Sequence, residues 1–308
     1  MSFKYEVNLA PMARITDIAF RSLCVENGAD MTVSELTSAE GLIRNQKNSL
    51  SQIERAKNEN NFAIQLFGSN VKSMSKAAEF VENKCDIIDV NMGCPVEKVM
   101  KIGAGSSLVE NPELAGNIIR GIVDSTNKPV SAKIRLGITK PDKAIKLSKT
   151  LENAGVSFIT IHGRTQVQQY RGLADWNSIK EVAKNVSIPI IGNGDINSPE
   201  IAKQRLTEEN ISGIAIGRAI SGNPFLFKQI KDFLKTGTYD GLTNERRVIL
   251  FDKYLKLAKK YEISFLHQKV QAQHVTKGLE GGSKARLLLN DAKTSEELLS
   301  AVKTVLNT

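Results

Sequence analysis

The sequence holds only three cysteines in 308 residues, Cys24, Cys85 and Cys94, an odd number with no C-x-x-C pair. Neither a disulfide framework nor a zinc site is built that way, so no metal is expected. No apolar run approaches the roughly 20 residues that a membrane-spanning helix needs. The opening Met-Ser-Phe-Lys-Tyr-Glu lacks an apolar signal-peptide core, and a cytoplasmic protein is expected. There is no low-complexity segment, and no repeat beyond an alternation of short apolar runs with helical stretches. Gly103-Ala-Gly105 resembles part of a dinucleotide fingerprint, but the remaining glycine is missing and no strand directly precedes it, which excludes a Rossmann site.

Basic charge is plentiful. Lys and Arg number 42 against 33 Asp and Glu, a net +9 with a pI near 9.3, so polyanions should be attracted. Residues 244–308 carry 12 Lys/Arg against 7 Asp/Glu, a net +5 in about a fifth of the chain, which fits an RNA-holding segment as well as a solvated Lys-rich helical surface. With 41% hydrophobic and 24% charged residues, the composition is that of a soluble globular protein. The length allows one domain of roughly 250 residues plus a small partner.

Eight short, β-branched apolar runs recur between amphipathic stretches: Val7 to Ala10, Met31 to Leu36, Phe62 to Phe67, Ile87 to Asn91, Val130 to Leu136, Ser157 to His162, Ile188 to Gly192 and Ile211 to Ile216. Strand then helix, eight times, predicts an α/β fold of the TIM (β/α)8 barrel type. Little alternation is expected within the runs, since helices cover one face and the barrel interior the other. A short helical stretch to Leu234 and the polar, glycine-containing Lys235 to Thr243 then close the barrel. Asn244 to Lys260, His267 to Lys277 and Ser295 to Leu306 read as helices, with Gly278, Gly281 and Gly282 as breaks. The expected division is a catalytic barrel over residues 1–235 and a small all-helical domain over 236–308.

TIM barrels place their chemistry at the C-terminal ends of the strands, so polar residues there carry weight. The first run ends in Pro11-Met12-Ala13 and the third reaches Gln65. The fourth ends Asp89-Val-Asn91-Met-Gly93-Cys94-Pro95, and the fifth carries Lys133 and Arg135. The sixth ends His162-Gly-Arg164-Thr165, the seventh Asn193-Gly194-Asp195, and the eighth Gly217-Arg218. Glycine loops after the last two strands commonly cradle a phosphate with backbone N–H groups. Gly194 and Gly217 allow that approach and Arg218 adds a charge, which predicts a phosphate-bearing cofactor, and flavin mononucleotide, FMN, is the one that suits the other polar residues. Gln65 and Lys133 then face the isoalloxazine edge, where a cation stabilises the reduced ring. His162, taken alone, reads as a satisfied polar residue under a loop.

Cys24 and Cys85 sit in helical patterns and read as buried small hydrophobes. Cys94 follows a strand and lies between Gly93 and Pro95 at the barrel mouth. An unperturbed thiol, with a pKa near ~8.5, is a competent proton donor at neutral pH.

At this point the chain resembles the tRNA-dihydrouridine synthase family from Asn8 to about Gly282. The resemblance is carried by Ala10-Pro-Met-Ala-Arg-Ile-Thr-Asp17, Gln65-Leu-Phe-Gly68, Asp89-Val-Asn-Met-Gly-Cys-Pro-Val-Glu-Lys-Val99 and Gly103-Ala-Gly-Ser-Ser-Leu108. Lys133-Ile-Arg-Leu-Gly137, Ile161-His-Gly-Arg-Thr165, Gly192-Asn-Gly-Asp195 and Ile216-Gly-Arg-Ala219 complete it. The Asn-x-Gly-Cys-Pro-x-x-Lys-Val element is the most specific piece. Arg14 stands where many relatives have glycine, and Gln271 to Leu279 looks like the family's basic helical segment.

The resemblance implies that Pro11, Met12 and Ala13 line FMN through backbone contacts and that Gln65 and Lys133 bind its ring. It implies also that His162 and Arg164 approach the flavin, and that Asn193, Gly194, Asp195, Gly217 and Arg218 hold its ribityl phosphate end. Asn91 would orient the target uracil and Cys94 would be the general acid. The implied reaction reduces a tRNA uridine to 5,6-dihydrouridine, with a hydride from FMN to C6 and a proton from Cys94 to C5 of a flipped-out base. NADPH would re-reduce the flavin transiently, and a monomer is expected. Two rival readings are a dihydroorotate dehydrogenase-like FMN barrel acting on a free pyrimidine and an RNA-binding module on an inactive barrel; the helical domain and basic charge count against the first.

Overall fold

The computed structural model describes residues 6–208, 210–278 and 282–306. Among the described residues nine strands form one parallel sheet: β1 (Val7–Leu9), β2 (Thr32–Val33), β3 (Thr37–Ser38), β4 (Phe62–Phe67), β5 (Ile87–Met92), β6 (Val130–Arg135), β7 (Phe158–His162), β8 (Ile190–Asn193) and β9 (Gly213–Ile216). The order β1-β9-β8-β7-β6-β5-β4-β2, with β3 continuing the β2 edge on β4, closes through a bridge between Asn8 and Met31. The chain is therefore a TIM barrel, as the eight apolar runs predict. The second run is broken into β2 and β3 by residues 34–36, which lie outside the ladder, and there the Glu35 carbonyl accepts from Ser34 Oγ and Thr37 Oγ1.

The helices follow in chain order: α1 (Ile18–Glu26), α2 (Ala39–Ile43), α3 (Lys47–Gln52), α4 (Val71–Val81), α5 (Glu97–Met100), α6 (Pro112–Val123), α7 (Ala144–Asn153), α8 (Trp176–Lys184), α9 (Pro199–Leu206) and α10 (Leu226–Thr236). Then come α11 (Asn244–Lys260), α12 (Phe265–Val275), α13 (Gly282–Asp291) and α14 (Ser295–Leu306). Their starts are written in the sequence. Asn111 accepts from the Leu114 N–H with Pro112 behind it, and Thr243 accepts from Arg246. Helix α13 lacks such a signal: Gly282, read as a break, is its first residue, while Gly278 does end a turn at φ 77°. Gly281 and Leu279 lie outside the described residues.

Two apolar cores follow from the period-2 geometry of strands. A large one fills the space between strands and helices, and a small one, with Met31, Val33, Ala63, Ile87, Phe158, Ile191 and Ala215, plugs the barrel interior. The interior positions turn polar towards the strand ends, so the expected lack of alternation fails in β6. There Val130, Ala132 and Ile134 join the outer core, while Ser131, Lys133 and Arg135 take the inner face. Phe80 of α4 is 38% exposed, while Ala77 and Val81 beside it on the helix are buried.

The helical region packs on α1 and on the β9–α10 connection. Tyr254 of α11 donates to Asp17, the N-cap of α1, at 3.0 Å, and Gln271 of α12 donates to the Ile15 carbonyl at 2.8 Å. Arg246 lies over the Phe225 ring at 4.3 Å. This docking carries Lys277, just beyond α12, to the barrel mouth. Among the described residues no helix is long and apolar enough to cross a membrane.

Candidate active site

One cavity of about 1290 Å³ opens at the C-terminal ends of the strands. Pro11, Met12, Ala13, Gln65, Asn91, Cys94, Lys133, His162, Asn193, Gly194, Asp195, Gly217 and Arg218 all line it. Parallel register is what gathers them: Asn91 pairs with Lys133, Arg135 with His162, and His162 with Asn193 on successive strands. Its charged lining is Lys101, Lys133, Arg135, Arg218 and Lys277 against Glu97 and Asp195, which favours an anionic ligand.

Cys94 is half-buried, on a loop clamped from several sides. Asn91 Oδ1 accepts from the Gly93 and Cys94 N–H groups at 3.2 and 2.9 Å, and Arg135 Nε donates to the Gly93 carbonyl at 2.9 Å. The Ser106 N–H donates to the Cys94 carbonyl at 3.0 Å. Gly105, at φ 60°, presses against the same carbonyl, and a Cβ there would lie 2.8 Å from it. The Gly103-Ala-Gly105 segment thus supports the cysteine loop. Burial raises the Cys94 thiol above its ordinary value, against the smaller pull of the Val96 N–H and of the Arg135 and Lys133 charges. The thiol is held protonated at neutral pH.

A hydrogen-bonded chain runs from this loop into the barrel. Asn91 Nδ2 donates to Gln65 Oε1 at 2.8 Å, Gln65 Nε2 to Asp89 at 2.7 Å, and Ser131 Oγ to Asp89 at 2.7 Å. Both amides are thereby fixed in orientation. Lys133 spends one donor on Asn193 Oδ1 at 3.3 Å, while Asn193 Nδ2 donates to the Ala215 carbonyl at 2.7 Å. Burial, aided by the Arg135 charge, pushes the Lys133 ammonium down to about 8.

Arg164 is the predicted site residue that does not line the cavity. Its guanidinium lies behind His162, donating to Asp195, to the Arg171 and Gly172 carbonyls and to His162 Nε2 at 3.2 Å. Since guanidinium has no acceptor, Nε2 must accept and the His162 proton sits on Nδ1. Burial and four nearby cations push His162 far below its ordinary value, so it is neutral. Burial alone would raise the Asp195 carboxyl, but bonds from Arg164 and the Ala174 N–H, with the Arg218 charge, hold it below the usual range. Asp195 therefore orients Arg218, 3.4 Å away.

At the last two strand ends, Gly194 (φ 129°) has no room for a side chain, its Cβ position lying 2.6 Å from that of Ala174. Gly217 differs: a Cβ there would meet only Met12 at 3.6 Å and Ala10 at 3.8 Å, so its backbone opens onto the cavity. Arg135, Asp89 and Tyr170 belong to the site without having been assigned to it. The i, i+2 spacing of Ser131, Lys133 and Arg135 was the signal for Arg135, whereas Tyr170 stands in a loop with no pattern.

The model of the family described as dihydrouridine synthase matches residues 8–308. The chain belongs to the dihydrouridine synthase family. It is 35% identical over 307 residues to tRNA-dihydrouridine synthase B of Vibrio cholerae, covering 97% of this chain and 95% of that one. The protein of the same name from Shewanella oneidensis is 35% identical over 286 residues, 88% of this chain and 89% of that one. Among solved structures, histamine dehydrogenase from Rhizobium sp. 4-9 matches with a TM-score of 0.56 and 13% identity over 82% of this chain. A 2-naphthoyl-CoA reductase complex matches with a TM-score of 0.56 and 12% identity over 75% of this chain. This dihydrouridine synthase spans about half the length of those two structures, which share its barrel fold.

Proposed function

We propose that this chain reduces a uridine of tRNA to 5,6-dihydrouridine with a flavin, FMN, held at the barrel mouth. The observation that carries the reading is the placement of a protonated Cys94 thiol beside Asn91, Gln65, Lys133 and His162 around one cationic cavity. The residues fit a flavin mononucleotide. Gly217 offers open backbone, Arg218 and Gly194 flank it, and Lys133 keeps donors unspent after its single bond to Asn193. Pro11, Met12 and Ala13 line the cavity too, Met12 Sδ lying 3.6 Å from where a Cβ on Gly217 would stand. The family match favours this reading over a free-pyrimidine dehydrogenase.

A reduced flavin bound there supplies the two electrons and the hydrogen taken up at C6. The chain's own part is acid–base and positional. As C5 gains electron density, the Cys94 Sγ–H bond breaks and a C5–H bond forms; the thiolate is then reprotonated from solvent. Asn91 holds the Cys94 loop through Oδ1 and keeps one amide hydrogen for the uracil. Gln65 is locked by Asp89 so that it presents a fixed face to the ring, and neutral His162 donates from Nδ1. Arg164 acts through His162 and Asp195. NADPH would supply the reducing equivalents through the same open mouth.

Residues 236–308 are assigned to holding the tRNA backbone and residues 1–235 to the chemistry, in a cytoplasmic monomer. Support for that boundary comes from α10 ending at Thr236, with Gly237 left-handed at φ 77°. The test is direct. Denatured protein should release FMN, and holoenzyme with NADPH should form dihydrouridine in a tRNA transcript. Release of FAD, or folded holoenzyme that yields no dihydrouridine, would overturn the proposal.

A further inference from the structure

Helix α12 buries Gln268, Gln271, Ala272 and Val275, an i, i+3, i+4, i+7 stripe that is half glutamine. A wholly apolar stripe would dock on any apolar surface. A buried amide docks only where its partners wait, because unpaired it loses its hydration and gains no bond. Each glutamine has found a different partner. Gln268 stays within the helical region, donating to the Ile263 carbonyl at 2.9 Å and accepting from Ser295 Oγ at 2.6 Å. Gln271, 2% exposed, reaches out of that region and donates to the Ile15 carbonyl of the β1–α1 turn at 2.8 Å.

That turn carries Pro11, Met12 and Ala13 to the cavity. The Ile15 and Thr16 N–H groups donate to the Met12 carbonyl at 3.1 and 3.0 Å, and the Met12 N–H donates to Thr16 Oγ1 at 3.1 Å. Gln271 therefore holds the carbonyl of the residue whose own N–H holds Met12. The C-terminal end of α12 braces a second wall. Gly222, at φ 75° in the β9–α10 connection, lies so close that a Cβ there would stand 2.4 Å from the carbonyl carbon and oxygen of His274. From Gly222 the chain runs back through Ser221, whose hydroxyl approaches Met12 Sδ at 3.8 Å, and Ile220, whose N–H donates to the Gly217 carbonyl at 2.9 Å. Gly217 and Arg218 then line the cavity. One helix of the helical region thus rests on both turns assigned to the flavin.

We infer that α12 is a strut of the cofactor site, with Gln271 a positioning residue for the wall formed by residues 11–13, so that the helical region contributes to flavin affinity. Gln271 itself does not line the cavity. The inference rests on the FMN reading and deepens it, since the barrel without α12 lacks the brace. By linkage, a flavin that binds the braced turns more tightly must hold α12 in place by the same factor.

The test is equilibrium dilution of flavin-loaded, full-length holoenzyme, with released FMN read by its fluorescence. Gln271→Met keeps length and helix propensity but loses the donor, and should raise the FMN dissociation constant about three- to tenfold, the range of one net hydrogen bond. Gln268→Met removes two buried bonds from the same face of α12 without reaching the barrel. It should lower the unfolding temperature yet leave FMN affinity within about twofold of wild type. In the full-length wild type, the flavin-loaded protein should exchange the amide hydrogens of residues 268–275 about three- to tenfold more slowly than the flavin-stripped protein, which decides the matter if Gln271→Met does not fold. Wild-type affinity in Gln271→Met, equal weakening by the two substitutions, or α12 exchange indifferent to FMN overturns the inference. Wild-type protein that releases no FMN on denaturation would instead sink the cofactor reading, and the inference with it.

Discussion

Asp17 joins the barrel to the helical region with a carboxylate that is nearly out of solvent, and replacing it by Asn should make the protein more stable at neutral pH. The side chain caps α1 by accepting from the Phe20 N–H at 2.9 Å and accepts from Tyr254 of α11 at 3.0 Å. Burial, opposed by those bonds and by Arg21 and reinforced by Glu35, raises the carboxyl from 3.8 to about 6. A carboxyl raised in the fold contributes stability that is complete below its unfolded value and is lost as pH rises through about 6. At 1.36 kcal/mol per pH unit, the loss by pH 7 is about 3 kcal/mol. Asparagine keeps the capping oxygen and a partner for the Tyr254 hydroxyl but carries no charge to desolvate. Because neutral bonds are weaker than charge-assisted ones, the net gain should be about 1–3 kcal/mol at pH 8, shrinking to near zero at pH 4. Urea unfolding of wild type and Asp17→Asn across that range measures the difference, with all other titrations common to both. If Asp17→Asn is the less stable protein at pH 8, the Arg21 and Tyr254 interactions outweigh burial and the reasoning is wrong.

Cys94→Ala should still bleach its flavin with NADPH at close to the wild-type rate, yet oxidise it with tRNA about 10² to 10⁴ times more slowly, whereas Cys24→Ala and Cys85→Ala, both buried packing residues, should turn over normally. Single-turnover flavin oxidation in the three variants checks this, and fast dihydrouridine formation by Cys94→Ala would assign the proton elsewhere. Lys133 loses its charge as pH rises through about 8. FMN affinity should fall about tenfold between pH 7 and 9 in the wild type and stay flat in Lys133→Met, measured by flavin fluorescence titration; parallel profiles would remove Lys133 from the ring. Arg14 stands exposed at φ 63° beside the cavity. Arg14→Gly should raise stability by about 0.5–1 kcal/mol by relieving left-handed strain and lower the log–log salt slope of tRNA binding by about 0.7–0.9. A thermal shift and a salt titration read the two effects, and an unchanged slope would leave Arg14 without a phosphate.

The sequence by itself determined the barrel, because eight apolar runs separated by amphipathic stretches have few other ways to bury their faces. It also determined the neighbourhood of the site, since strand ends in such a barrel point to one mouth, and the Asn91 to Cys94 element resembles one family. Helix α13 escaped because its opening glycine reads as a stop. What only the tertiary structure decided is how the polar side chains divide their work. Arg164 has sequence credentials like those of Lys133, a cationic side chain near a strand end and in a matching segment, yet its guanidinium is turned to Asp195, His162 and two loop carbonyls. Gly105 and Cys94 are eleven residues apart and meet only through the fold. Tyr170 owes its place at the rim to Arg135 at the end of β6 and to Arg164 at the base of its own loop. Local sequence fixes which residues reach the mouth through backbone periodicity; which of them stay free for a ligand depends on hydrogen bonds between strands distant in sequence, and those exist only once the barrel has closed.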